Sequence, residues 1–294
     1  MIGNYFNGVI EQVYHRIGQE EQNIVMACYG NSLTVSKLEA VKRYSEESDG
    51  VFFACTELEQ DRIVGAYEPF LDIICEMFRR YETGSFEDFL EECDVYHLQM
   101  GVLKSYYETG QCVRSENVLL NEVVYEQYRM TEAVATMICR LAETHPVMIV
   151  INRFQYASRS TVKLLNRLLQ MGCSNIGVVL GINEQMNASG NYGTDWDQFT
   201  EALEDLSQVY HIGNSTDRSN DKTTAGEDED WEQMFIRLRN MVELLDFAQA
   251  SVYIRKLDRQ IRFEDLTISD EEKIGLYSLY IKISTLCGDI PKAL

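Results

Sequence analysis

The residues best suited to do chemistry follow the first apolar run of the chain. The run from Ile24 to Tyr29 predicts a buried strand, and residues 30 to 38 continue directly from it as GNSLTVSKL. A turn between a strand and a helix is a place where proteins hold phosphate groups, because several backbone N–H groups converge there. A match of this segment to the phosphate-loop pattern G-x-x-x-x-G-K-[ST] would indicate a nucleotide-binding site.

Only the first of the specified positions in that pattern is met. Gly30 matches the first glycine, but Val35 replaces the second glycine, Ser36 the lysine and Lys37 the hydroxyl residue. A β-branched valine is penalised at the positive φ that the phosphate cradle needs. The lysine and the hydroxyl normally hold phosphate and magnesium, through bonds worth about 1.5–3 kcal/mol each. We therefore expect no cofactor, or at most weak ATP or ADP binding.

Five apolar runs predict the sheet that would position this turn. They are short, rich in β-branched or aromatic residues, and lack the polar alternation of half-exposed strands. Such runs are typical of a parallel sheet covered on both faces, and helical patterns lie between them. The sequence therefore predicts a doubly wound α/β domain with about five parallel strands. The runs are Ile24 to Tyr29, Val51 to Cys55, Val147 to Ile151, Ile176 to Ile182 and Val209 to Ile212.

Helix signals between the third and fourth runs predict a complete strand, helix, strand unit. Ser158 or Ser160 is the N-cap candidate, and Gly172 stands where a helix would end in the left-handed conformation.

Composition divides the chain into three parts. Residues 1–212 hold the predicted α/β domain, and residues 213–230 contain no large apolar residue, which predicts an acidic flexible linker that proteases cut first. Residues 231–294 are purely helical in pattern. Residues 245–250 recur at 288–293, an offset of 43 residues, which predicts helical hairpins that begin a series of tetratricopeptide-like repeats.

The order of these features resembles the regulatory ATPases of the STAND/AAA+ group, found in large LuxR-type and related bacterial signalling proteins. The resemblance covers roughly residues 5 to 294 and depends on order and context. In that group the third strand ends in paired acids, whereas Asn152 and Arg153 stand here. The resemblance implies that magnesium and water activation are lost, and that Asn183 takes the polar position that senses the terminal phosphate. It is carried by residues 29–37, 53–55, 66–70, 145–169 and 176–183.

The resemblance implies a P-loop NTPase-like module without catalytic activity, a pseudo-ATPase that regulates or scaffolds bacterial signal transduction or transcription. Protein partners would bind through the helical repeats, and self-association stays open. An ATP-binding ATPase is one alternative, in which Lys37 swings into the pocket and Glu184, or an acid of residues 57–96, replaces the lost carboxylates. A protein-interaction adaptor that never binds nucleotide is the other. The vestigial pocket would consist of Gly30, Ser32, Thr34, Ser36, Lys37, Asn152 and Asn183.

Charge and cysteine usage exclude several classes of protein. A net charge of -21 disfavours direct binding to nucleic acid or to an anionic membrane, and residues 57–96 alone hold twelve acidic and three basic residues, which predicts an acidic solvated face. No apolar run approaches the ~20 residues that cross a bilayer. The eight cysteines form no C-x-x-C pair, which predicts reduced thiols, no metal site and a cytoplasmic location.

Overall fold

The computed structural model describes residues 2–17, 24–30, 33, 38–39, 42–43, 50–59, 62–114, 118–119, 121–183, 194–206, 208–211, 231–263 and 268–287. Its strands pair in the order β2-β3-β4-β1-β5, and every pair is parallel. The prediction of a mixed α/β chain with a parallel sheet is therefore confirmed. The strands are β1 (Ile24–Gly30), β2 (Phe52–Glu57), β3 (Val147–Asn152), β4 (Ile176–Asn183) and β5 (Gln208–His211).

Among the described residues one helix precedes β1, four lie between β2 and β3, one lies between β3 and β4, one lies between β4 and β5, and three follow β5. The helices are α1 (Ile2–Arg16), α2 (Phe70–Tyr81), α3 (Phe86–Glu92), α4 (His97–Thr109), α5 (Val123–Thr144), α6 (Arg159–Met171), α7 (Thr194–Leu206), α8 (Trp231–Glu243), α9 (Phe247–Arg262) and α10 (Asp270–Leu286). Within the described residues, no helix is both long and apolar enough to cross a bilayer.

Both faces of the sheet are covered, which explains the continuous apolar runs. All residues of β3 are buried, and successive side chains point to opposite faces. Ile149 and Ile151 join a large core with residues of α5, α6 and α7. Met148 and Val150 belong to a second core with Ile10 of α1. A strand enclosed in this way has no solvent-exposed side that would require polar residues.

The predicted ends of α6 are where the sequence places them. Ser158 is the N-cap, since its Oγ accepts a hydrogen bond from the backbone N–H of Thr161 (3.2 Å). Ser160, the other candidate, lies inside the helix. Gly172 ends the helix with φ 62°, a left-handed conformation that glycine adopts without penalty.

The C-terminal helices pack directly on the part of the chain that contains the sheet. Asp246 is the N-cap of α9, and its other carboxylate oxygen accepts a hydrogen bond from the backbone N–H of Ser160 in α6 (3.1 Å). The Tyr253 hydroxyl accepts a hydrogen bond from the N–H of Val64 (3.1 Å). Leu245 and Phe247 share one continuous core with the sheet. The repeat of residues 245–250 at 288–293, and the predicted linker 213–230, involve positions outside the described residues.

These buried contacts change what limited proteolysis should produce. Cleavage between residues 213 and 230 is expected to leave two fragments that elute together from a sizing column and separate only in denaturant. Asp246→Ala removes the buried carboxylate that joins the two parts and should weaken the association. Asp197→Ala, at an exposed position of α7, is the matched control. Fragments that separate without denaturant would show that the shared core does not hold the two parts together.

The prediction that all cysteines are reduced thiols is wrong for one pair. Cys139 of α5 and Cys173, just after α6, form a disulfide with their Cα atoms 5.9 Å apart. The two residues are 34 positions apart in sequence, so no local spacing indicates the pairing. Cys75 and Cys93 form no disulfide, and burial raises the pKa of each thiol to about 12.

Candidate functional site

Strand register brings three of the predicted pocket residues to one edge of the sheet. Gly30 and Asn183 are direct partners at the ends of β1 and β4. Ile151 pairs with Leu180, so Asn152 is next to Gly181. Gly30, Asn152 and Asn183 therefore lie together at the carboxyl edge, where open parallel sheets bind ligands. The other predicted pocket residues lie outside the described residues; they are Ser32, Thr34, Ser36 and Lys37.

Asn152 is bound to Leu33, three positions after the end of β1. The backbone N–H of Leu33 donates a hydrogen bond to Asn152 Oδ1 (2.8 Å), and Asn152 Nδ2 donates one to the Leu33 carbonyl (3.0 Å). The side chain of Asn152 is only 1% exposed. An amide that donates to a carbonyl and accepts from an N–H mimics a backbone pair, and we call this pairing the Asn152–Leu33 clasp.

The clasp requires Asn152 and Leu33 to lie close to the backbone of β4 at Gly181. A Cβ atom at Gly181 would collide with Asn152 Oδ1 and lie 3.0 Å from Leu33 Cγ. Glycine is therefore required here to make room for both residues. Leu33 itself is buried and packs in the second core with Val179. Leu33 is thus anchored to the sheet both by its backbone and by its apolar side chain.

Arg153 has a carboxylate partner at the same edge. Its Nε lies 3.1 Å from Oε1 of Glu57, the last residue of β2, and Arg153 adopts a left-handed conformation with φ 56°. Glu57 is an acid of the 57–96 segment that the ATPase alternative invokes, and strand register places it next to Asn152. Glu57 neutralises the Arg153 guanidinium in this geometry. A carboxylate paired in this way is poorly placed to activate water.

The backbone at Asn183 is also held by a buried side chain. Its N–H donates to Oε1 of Gln155, which is 4% exposed and lies in the short 3₁₀ turn Phe154–Tyr156. Sequence reasoning did not single out Gln155, Leu33 or Gly181 as site residues. A polar residue three positions after the end of β3 was the available signal for Gln155, but nothing in the pattern marks Leu33 or Gly181.

The described polar groups at this edge satisfy one another. The amide of Asn152 is paired with backbone, and the Arg153 guanidinium is paired with a carboxylate. Within the described residues, no group of three His, Cys, Asp or Glu side chains is placed to hold a metal ion. The arrangement therefore stabilises the position of Leu33 and the strand ends, and the described groups at this edge include no nucleophile paired with a general base.

The chain matches no protein-family model and none of the curated proteins with which it was compared. Membership of the STAND/AAA+ group accordingly stays a prediction.

Proposed function

We propose that this chain is a catalytically inactive module of the STAND/AAA+ kind, built on a P-loop NTPase-like sheet, that regulates or scaffolds rather than hydrolysing ATP. The observation that supports this most is the Asn152–Leu33 clasp. A nucleotide-hydrolysing site needs a carboxylate at the end of such a strand to hold magnesium through water. Here an uncharged amide pairs with the protein's own backbone instead.

Electrostatics at the same edge supports the proposal. Mg²⁺ prefers anionic oxygen ligands, and Arg153 would repel it. Glu57 is the acid that strand register brings next to Asn152, and it forms an ion pair with that guanidinium. Metal binding would have to break the pair and leave Arg153 without a partner.

The surface of the last helix supports a role in binding proteins. Ile274, Tyr277 and Ile281 follow the i, i+3, i+7 spacing of one helix face and are 66%, 41% and 48% exposed. Exposed apolar faces of this kind mark interaction surfaces. Regulation would then act through protein contacts at the hairpins, coupled to the carboxyl edge through α6 and Asp246.

The sequence predicts a cytoplasmic location. The Cys139–Cys173 disulfide opposes it, because reducing compartments rarely retain such bonds.

Nucleotide titration tests the proposal. In calorimetry with ATP and magnesium, the wild-type chain should bind with a Kd weaker than about 1 mM and show no turnover above background. The triple variant Val35→Gly, Ser36→Lys, Lys37→Ser restores the phosphate-loop residues, and its affinity should rise while hydrolysis stays poor. ATP turnover by the wild-type chain that disappears in Lys37→Ala would overturn the proposal in favour of an ATPase.

The triple variant also distinguishes the proposal of a regulatory module from the alternative of an adaptor that never binds nucleotide. If the variant folds normally but binds no nucleotide at millimolar concentration, residues 30–37 are not a decayed phosphate loop, and the adaptor is favoured.

A further inference from the structure

A cavity of about 270 Å³ lies between the segment that follows α4 and the C-terminal helices. It shares no lining residue with the carboxyl edge. Residues from three separate stretches of the chain form its wall, so a molecule bound there would contact α8 and α10 together with the segment between β2 and β3. The lining residues are Arg114, Val118, Val242, Glu243, Leu245, Lys282, Thr285 and Leu286.

Arg114 lines this cavity, and one of its hydrogen-bond donors has no partner among the described residues. Its terminal nitrogens donate to the carbonyls of Leu98 (3.3 Å) and Glu243 (2.9 Å). Its Nε is buried and has no hydrogen-bond partner among the described residues. Burial lowers the pKa of the guanidinium, because the charge has lost its water, and the Glu243 carboxylate counteracts this only in part.

The charge balance of the wall favours an anion. Lys282 Nζ donates to Glu243 Oε1 (2.6 Å), so the lining residues carry two cations, Arg114 and Lys282, and one carboxylate, while Glu126 acts on Arg114 from outside the wall. A locally positive cavity is unexpected in a chain with a net charge of -21. Four apolar side chains complete the wall, which is the usual composition of a small-molecule site: apolar lining with a few convergent polar groups. They are Val118, Val242, Leu245 and Leu286.

We propose that this cavity binds a small organic anion of the monocarboxylate class, with its carboxylate at Arg114 and Lys282 and its alkyl chain against the valine and leucine side chains. Since a water molecule takes about 30 Å³ of liquid volume, the cavity has room for a molecule of roughly six to nine heavy atoms. The ligand would hold the segment after α4 against α8 and α10. This site is independent of the proposed function at the carboxyl edge.

A chain-length series tests the proposal. Calorimetry of the full chain with acetate, butyrate, hexanoate and octanoate, at constant ionic strength, should show affinity rising to a Kd of about 1 mM near hexanoate. Octanoate should bind more weakly than hexanoate, because its chain exceeds the cavity. Hexanol, which has the same carbon chain without the charge, should bind at least about tenfold more weakly than hexanoate.

Matched variants on α10 locate the site. Thr285 and Ser278 are both exposed, and each donates its hydroxyl to the carbonyl four residues before it, but only Thr285 lines the cavity. Thr285→Trp should abolish hexanoate binding, and Ser278→Trp should leave it unchanged. Lys282→Gln should weaken binding about tenfold, whereas Lys273→Gln, which removes a lysine paired with Asp270 elsewhere on the helix, should not.

Three results would overturn the assignment: no saturable binding of any carboxylate, equal binding of hexanoate and hexanol, or equal binding by the two tryptophan variants. If Lys282→Gln fails to fold, the tryptophan pair still decides the outcome, since both of its substitutions are at exposed positions.

Discussion

Replacing Asn152 by alanine is expected to lower the free energy of unfolding by about 2 to 5 kcal/mol. The substitution leaves the N–H and the carbonyl of Leu33 buried without partners, and each such group costs about 1 to 3 kcal/mol. Urea denaturation at pH 7 measures the effect. Asn166→Ala is the matched control, because the one hydrogen bond seen for that side chain among the described residues is from the exposed Gln170 at 3.5 Å, and the change should alter stability by less than about 0.5 kcal/mol.

Restoring the acid at this position gives a sharper test of the clasp. Asn152→Asp keeps an acceptor for the Leu33 N–H but places a carboxylate against the Leu33 carbonyl. Burial would raise the folded-state pKa of the new carboxyl above its unfolded value. Its contribution to stability is then fully present below the unfolded pKa, about 3.9, and is lost as pH rises through the folded pKa. The free energy of unfolding of Asn152→Asp should therefore come closer to the wild-type value as the pH is lowered.

A different result would count against the clasp. If Asn152→Asp is as stable as wild type at pH 7 and gains magnesium-dependent nucleotide affinity, the edge of the sheet is open in solution and the chain retains a usable site.

Reducing the Cys139–Cys173 disulfide is expected to lower the free energy of unfolding by about 4 kcal/mol. The bond closes a loop of 34 residues, and the loss of loop-closure entropy in the unfolded chain has that magnitude. The loop contains β3 and all of α6, so the sheet should loosen first where it carries Asn152. Denaturation with and without reductant measures the difference.

The double variant Cys139→Ala, Cys173→Ala is the control, since a reductant should not destabilise it further. A tryptic digest without reductant should contain one peptide pair joined through Cys139 and Cys173. If that pair is absent and reductant leaves stability unchanged, the expectation of reduced thiols is correct after all.

The sequence allowed β3 and β4 to be predicted because each is enclosed on both faces. In β3 every side chain is buried, so the run is wholly apolar and stands out from its surroundings. The N-cap at Ser158 and the left-handed Gly172 were predictable for a different reason: both depend on chemistry local to the ends of the helix.

The details of the site were not predictable, because they depend on contacts between distant residues. Asn152 and Leu33 are 119 positions apart, and neither residue indicates the other. Arg153 stands where the STAND/AAA+ group has an acid, and the parallel register of β2 and β3 supplies Glu57 as its partner. The requirement for glycine at position 181 arises only when β4, the turn and β3 meet. The apolar pattern of the sequence predicts individual strands and helices. The site forms only when those strands and helices contact one another.

Asp246 stands at the start of two helices at once. One oxygen accepts from the Gln249 N–H in the first turn of α9, and the other from the Ser160 N–H in the first turn of α6. Each helix carries roughly half a positive charge at its N-terminus, so a single carboxylate compensates two macrodipoles. When the C-terminal helices fold, Asp246 is placed where it compensates the positive N-terminus of α6, a helix that packs on the sheet. We expect the two regions to unfold in one cooperative transition, although their sequences differ as sharply as those of separate domains.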